Sequence, residues 1–250
     1  GASFIKVEGT NFTDSLLVGH ATTGTLSSAA RNTGVGIDAM DAITSGVDNT
    51  CVGYQAGTAI TTAASNVLIG KGAGAALTTS SSINNTAVGF EALITAIGAQ
   101  SNVAVGFKSL YAVTSGDRNT AVGKRSGDSI NTGESNVVVG EDAGENITSG
   151  SGNVIIGTID ADSATGDHQL KIAGYNGSST VTWIDGDSSG NITMPAEVAA
   201  VSLDISGAID VDGTTNLDAV DIDGAVQIDG TVTVGVDDTG LDVKLFGAAA

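Results

Sequence analysis

One pentapeptide recurs along this chain at a fixed interval. Asn85 to Gly89 and Asn119 to Gly123 both read NTAVG. Close variants begin at Asn32, Asn49, Asn66, Asn102, Asn136 and Asn153. Of the seven gaps between these eight asparagines, six are 17-residue steps and one is a 19-residue step. Ser15 to Gly19, reading SLLVG, lies one 17-residue step before the first copy and is a degenerate ninth. A repeat this short cannot bury a core of its own, so successive copies must stack on one another. The period therefore predicts a solenoid with 17-residue rungs.

Each position in the repeat has a physical task. The segment Thr/Val-x-Val/Ile alternates at period 2 and is rich in β-branched residues, which predicts a short strand. Asn tolerates left-handed backbone and suits the corner before that strand. Stacked one turn apart, the amides are expected to form a ladder. The following Gly permits a bend or a close backbone approach. Three residues on comes a small residue: Ala39, Ala56, Ala73, Ala92, Ser109, Ser126 or Ala143. Gly or a large apolar residue follows it, as at Met40, Gly57, Leu93 and Gly127. Another apolar position (Ile43, Ile60, Leu77, Val113, Ile130, Ile147) comes three later.

The pair after each Val-Gly is chemically unconstrained, running from Ile37-Asp38 through Tyr54-Gln55 and Lys124-Arg125 to Glu141-Asp142, and is expected to face solvent. The strand is apolar on both alternating faces. One face can fill the roll, with the Val/Ile column taken as stacked, so that Val122→Asp would bury an unpaired charge. The other face needs cover that a single thin roll cannot supply, and association with further copies is the simplest source. The two extra residues of the long repeat are expected to bulge within Ala76 to Asn84, leaving Ile69 and Val88 stacked.

Composition narrows the functional classes. The formal net charge is −19, with 9 Lys and Arg against 28 Asp and Glu, which argues against nucleic-acid binding. The single cysteine, Cys51, occupies a slot held elsewhere by Gly, Ala, Leu, Val or Ile and reads as a buried thiol, with no internal disulfide to form. There is no apolar run long enough to span a membrane and no signal-peptide pattern. The chain starts with Gly and ends in FGAAA without a capping motif, so a piece of a longer protein is expected.

The Asn-x-x-(Val/Ile)-Gly core resembles the left-handed parallel β-roll in head domains of trimeric autotransporter adhesins. Their repeat is usually shorter, so the turn here is longer. The run NTAVGFEAL (Asn85 to Leu93), with its 17-residue spacing, is more similar to tail-fibre and structural proteins of marine tailed phages. The resemblance covers residues 15–157. It implies an all-β parallel β-roll in a homotrimer, located in the virion tail fibre and extracellular. The partners it implies are its own copies, other virion tail proteins and a host cell-surface receptor, without membrane insertion.

The parallel β-roll is expected over residues 1–157, and from Thr158 the motif stops. Residues 158–196 hold the only Trp, Trp183, and the only Pro, Pro195, and are expected to form a β junction, with Trp183 as its apolar plug rather than a receptor contact. WIDGDSSGNITMP resembles the segment that introduces shafts in phage tail fibres. A second repeat then places Asp187, Asp204, Asp221 and Asp238 at 17-residue intervals, with apolar and acidic residues alternating. Residues 197–250 are thus expected to form an acidic β-helical shaft, leading into a further module that DVKLFG (Asp242 to Gly247) resembles.

Catalytic and metal-binding residues are not expected. Asp210, Asp212 and Gly213, like Asp221, Asp223 and Gly224, lack the remaining ligands of a calcium loop. Stacked Asp204 over Asp221 would repel, which diffuse cations can relieve. Glu134, Glu141, Asp142 and Glu145 cluster in sequence, but adjacent turns bring any two carboxylates to glycosidase spacing, and no Trp or Tyr platform lies nearby in sequence. His20 and His168 are isolated. The expected function is a stalk or spacer of a phage tail fibre, projecting a host-recognition tip and carrying no enzyme activity or cofactor. The alternatives are a surface adhesin binding host glycan or protein, and a glycan-degrading tailspike.

Overall fold

A computed structural model of the chain describes residues 5–19, 23–195 and 228. The chain divides into two units, Gly1–Ala199 and Ala200–Ala250, and the elements below belong to the first. The acidic repeat of residues 197–250, its Asp-x-Asp-Gly pairs and His20 lie outside the described residues.

Every copy of the motif forms a three-residue strand. In chain order the strands are β1 (Ile5–Gly9), β2 (Phe12–Val18), β3 (Ala29–Ala30), β4 (Thr33–Val35), β5 (Thr50–Val52), β6 (Val67–Ile69) and β7 (Thr86–Val88). They continue as β8 (Val103–Val105), β9 (Thr120–Val122), β10 (Val137–Val139), β11 (Val154–Ile156), β12 (Leu170–Tyr175), β13 (Thr180–Gly186) and β14 (Ile192–Thr193). No helix occurs among the described residues. From β2 through β4 to β12 the strands pair in parallel without a slip, each residue facing its counterpart one rung away. The nine intervals between these ten strands give a rod of about 43 Å. The described residues of the first unit thus form an all-β parallel solenoid.

The 19-residue repeat keeps register: Leu68 faces Ala87 and Ile69 faces Val88. Its extra length forms a turn at Thr79 to Ser82, closed by Ser82 N donating to the Thr79 carbonyl at 2.9 Å. The stack also runs one rung past the last Asn motif, because Val154, Ile155 and Ile156 pair with Leu170, Lys171 and Ile172.

The Asn ladder exists and is buried, with Asn32 through Asn153 at 0% exposure. Asn119 shows the bonding. Its Oδ1 accepts from the Asn136 backbone N at 3.0 Å and from Asn136 Nδ2 at 3.0 Å. Its Nδ2 donates to the Gly133 carbonyl at 2.9 Å, across the roll. Ser15 Oγ begins the ladder by accepting from Asn32 N, and Gln169 ends it by donating to Asn153 Oδ1. The left-handed corner, expected at Asn, falls one residue earlier. Arg31, Asp48, Ser65, Asn84, Ser101, Arg118, Ser135 and His168 all have φ of 55–60°. The Asn itself is kept for its amide, not its backbone.

The glycine after Val or Ile is fixed by two constraints at once. From Gly19 to Gly157 these residues have φ of +108 to +143°, and a Cβ on Gly123 would lie 2.2 Å from the Gly140 carbonyl oxygen one turn away. No side chain fits either demand.

The interior is filled by a column that the Val/Ile assignment missed. The middle residue of each strand points inward: Leu17, Cys51, Leu68, Ala87, Ala104, Ala121, Val138 and Ile155 are at 0% exposure, while Val122 is at 39%. Val122 therefore lies on the outer face of the chain, and Val122→Asp would not bury a charge within the roll. Both alternating positions are apolar, so periodicity alone could not say which faced in. Across the roll, the slot that is Gly or large compensates the inner residue. Small Gly34, Ala87 and Ala104 share a turn with Met40, Leu93 and Leu110, whereas Leu68 and Val138 share theirs with Gly74 and Gly144. Met40, Leu93 and Leu110 accept left-handed φ of 50–55° to do so, at a cost of about 1 kcal/mol each. Cavity filling outweighs that cost.

Antiparallel strands flank the parallel stack at both ends. β1 pairs antiparallel with β2, and β13 and β14 follow β12 as an antiparallel meander. Trp183, expected as a buried plug, is 56% exposed. Its ring lies against the Gly174 backbone, where an added Cβ would meet Cζ2 at 2.4 Å. The apolar end of the core is closed instead by Lys171, the last residue of the inner column. Its Nζ pairs with Asp162 at 2.5 Å and Asp185 at 3.3 Å. Burial opposes its charge, but these bonds outweigh it and hold its pKa above the ordinary lysine value.

Candidate functional site

Three surfaces carry chemistry: the outer sheet face, the variable slot after each Val-Gly, and the turn wall opposite the sheet.

The outer face presents Val18, Val35, Val52, Ile69, Val88, Val105, Val122, Val139, Ile156 and Ile172 in one line. Val35, Ile69, Val122 and Ile156 are 37–39% exposed. Position for position this column is aliphatic and β-branched throughout, while the buried inner column ranges from Gly34 to Leu68 and Lys171. Strand propensity alone would accept Thr equally well. Thr does occur at the first strand position, as Thr33, Thr50, Thr86 and Thr120, but never at the third. The selection is for an apolar surface.

The variable slot forms a closed stack at its centre. Phe90 and Phe107 lie with centroids 5.2 Å apart and planes within 8°. Lys71 Nζ sits 5.0 Å over Phe90 and Lys108 Nζ 5.7 Å over Phe107. The rings stack on each other, with a lysine ammonium beside each. Phe107 nonetheless stays 44% exposed. Lower down, Lys124 pairs with Glu141 at 2.6 Å.

Cations elsewhere also join neighbouring turns. Arg31 chelates Asp48, Arg118 reaches Glu134, and Lys108 pairs with Glu91. These pairs are largely exposed and individually weak. Their common effect is to spend positive charge within the stack.

The structure separates the four clustered acids. Glu134 lies by the Asn corner with Arg118, and Glu141 lies in the variable slot with Lys124. Asp142 and Glu145 gather on Arg125, which also holds Asp128: Nε to Asp128 Oδ2 is 2.9 Å, Nη2 to Glu145 Oε2 is 2.7 Å and Nη1 to Asp142 Oδ1 is 3.7 Å. Hydrogen bonding and charge from Asp128, then Glu145, raise the Arg125 pKa further. Asp142 Oδ1 is buried and accepts no hydrogen bond among the described residues. Sequence reasoning missed the aromatic neighbour of this group. Tyr111, Asp128 and Glu145 follow one another at the 17-residue spacing and occupy one column on the turn wall, a relation present in the sequence. Together they line a cleft of about 580 Å³.

The remaining candidates are structural. Cys51 is buried, and burial pushes its thiol pKa up, away from reactivity. His168 occupies the left-handed corner before Gln169. Among the described residues no group of three or more His, Cys, Asp or Glu is arranged to hold a metal ion, and no helix is long and apolar enough to cross a membrane. No protein-family model, curated protein or solved structure matches this chain.

Proposed function

We propose that this chain is a spacer segment of an extracellular fibre, of the kind found in phage tail fibres, and that it works as a parallel homotrimer joined along its outer sheet faces. The observation that carries the proposal is the outer column: ten rungs keep Val or Ile at a position the single chain leaves part-exposed. Repeated rungs with register-locked backbones make a stiff rod, which suits holding other parts at a distance. The ion pairs on Arg118, Lys124 and Arg125 support a scaffolding role for the carboxylates rather than a catalytic one.

Area sets a condition on the trimer. A strip of about 43 Å by 10 Å offers roughly 430 Å² per chain, about half of what a standard interface needs from each partner. Further apolar surface must contribute. Tyr175, Val181 and Trp183 at the closing meander are 58%, 49% and 56% exposed and supply it. Analytical ultracentrifugation of the purified chain at micromolar concentration tests the proposal. A sedimenting species of three times the chain mass is expected, and a stable monomer would remove the fibre reading's main support.

A further inference from the structure

A solenoid repeats every slot, so a cavity on its surface arises where consecutive rungs depart from the common pattern together. On the turn wall the column Asp41, Thr58, Ala75 and Ile94 becomes Tyr111, Asp128 and Glu145, and the neighbouring column of mainly Ala and Thr becomes Ser129 and Asn146. These changes open the cleft of about 580 Å³ around Arg125. We propose that this cleft binds a neutral, hydroxyl-rich saccharide of two or three rings.

Four features select that ligand. The volume lies within the range of small-molecule sites, roughly 300–1,000 Å³. The lining is rich in acceptors and short of donors, because Arg125 commits Nε and Nη2 to Asp128 and Glu145. Among the described residues Glu145 Oε1 has no hydrogen-bond partner, and Asp128 Oδ1 has only the long 3.3 Å bond from Ser129 Oγ. Sugar hydroxyls supply the missing donors. Arg125 meanwhile clamps the carboxylates in place, so little side-chain freedom is lost on binding. The two lining carboxylates, Asp128 and Glu145, are balanced by Arg125 between them and by Lys108 beside Tyr111, so the charge favours a neutral ligand over an anion or an ammonium. Tyr111 gives the cleft its aromatic wall: Lys108 Nζ, at 4.8 Å from the centroid, takes one ring face, and the hydroxyl has no partner among the described residues. Arg125 comes from the variable slot and the other lining side chains from the turn wall, none from the three-residue strands. The cleft is therefore independent of the proposed association face.

Saturation-transfer NMR and calorimetric titration of the purified chain test this. The probes are lactose, maltose, cellobiose and N,N′-diacetylchitobiose, with 3′-sialyllactose and putrescine as anionic and cationic comparators. At least one neutral disaccharide should bind saturably with a Kd on the order of 1 mM. Glu145→Gln and Tyr111→Ala should each weaken it about tenfold or more, with melting unchanged for Glu145→Gln, while Lys124→Gln, outside the cleft, leaves binding as it was. Absence of saturable binding by all four neutral sugars, binding of putrescine or 3′-sialyllactose alone, or binding indifferent to both cleft variants would each overturn the proposal. None of these results depends on whether the chain is a trimer.

Discussion

Two neighbouring residues of every strand make the most instructive contrast in this molecule. Ala121 is wholly buried and Val122 is part-exposed. Across the rungs the buried position varies in size from Gly34 to Ile155, whereas the exposed position stays Val or Ile. Burial ordinarily restricts choice more than exposure does. In most turns the inner column escapes because its volume is shared with a partner slot, as in Ala87 with Leu93 and Leu68 with Gly74, while around Ala121 and Gly127, both small, Ile130, Val138 and Leu110 fill the space. The outer column has no such partner among the described residues. Its uniformity is what a repeated contact with something outside the chain would require.

Four experiments press on that contrast. The harshest leaves both columns intact and attacks the backbone between them. Gly123→Ala drives a Cβ to 2.2 Å from the Gly140 carbonyl oxygen at φ +141°, so a loss above about 4 kcal/mol is expected in urea denaturation. A smaller loss would mean the rungs can separate. Next is Asn119→Ala, which strands the Asn136 backbone N–H and the Gly133 carbonyl in the interior. About 3 kcal/mol should disappear, and a value near zero would show that water replaces the ladder.

Volume sharing gives the third. Leu93→Gly alone should cost about 2–4 kcal/mol. Replacing both residues, Ala87→Leu with Leu93→Gly, copies the arrangement of Leu68 and Gly74 one turn earlier. Recovery of about half the loss or more is expected in a double-mutant cycle, and simple additivity would refute sharing. The gentlest on the single chain is Val122→Asp. Because Val122 is 39% exposed, the fold should lose less than about 1 kcal/mol. Association should nonetheless fall sharply in ultracentrifugation, while Lys124→Asp, two residues on, leaves it unchanged. Equal association by both variants would place the contact elsewhere.

Much of this architecture was legible in the sequence, and the failures share a cause. The period, the Asn ladder, the Gly column and the register across the 19-residue repeat all follow from spacing, because stacked turns must match. Inside and outside were not separable where both strand positions are apolar, since the distinction depends on which way the preceding corner turns. That corner lies at Arg118, not at Asn119, and residues at the corner share no chemistry. The tenth rung escaped notice because Gln169 replaces Asn one residue short of the regular step, a substitution that keeps the amide but breaks the pattern. Trp183 misled because a large aromatic residue is usually buried, whereas here it lies across Gly174 at the surface. The cleft was hidden by distance along the chain: Tyr111 and Glu145 are two turns apart in sequence and line one cleft in space.

The antiparallel strands at the two ends of the stack have a consequence for how length is inherited. An open parallel edge would accept any further rung, from the same chain or another. Here the parallel run gives way to antiparallel pairing at β1 and at the β13–β14 meander, so the number of parallel rungs follows the number of repeats in the gene. Near-identical repeats in a coding sequence are prone to unequal recombination, which adds or removes whole copies. Each such event would lengthen or shorten the parallel run by about 4.8 Å, with the antiparallel strands kept at both ends. Reach is thus a trait this chain can vary in discrete steps, without a single residue having to change its neighbours.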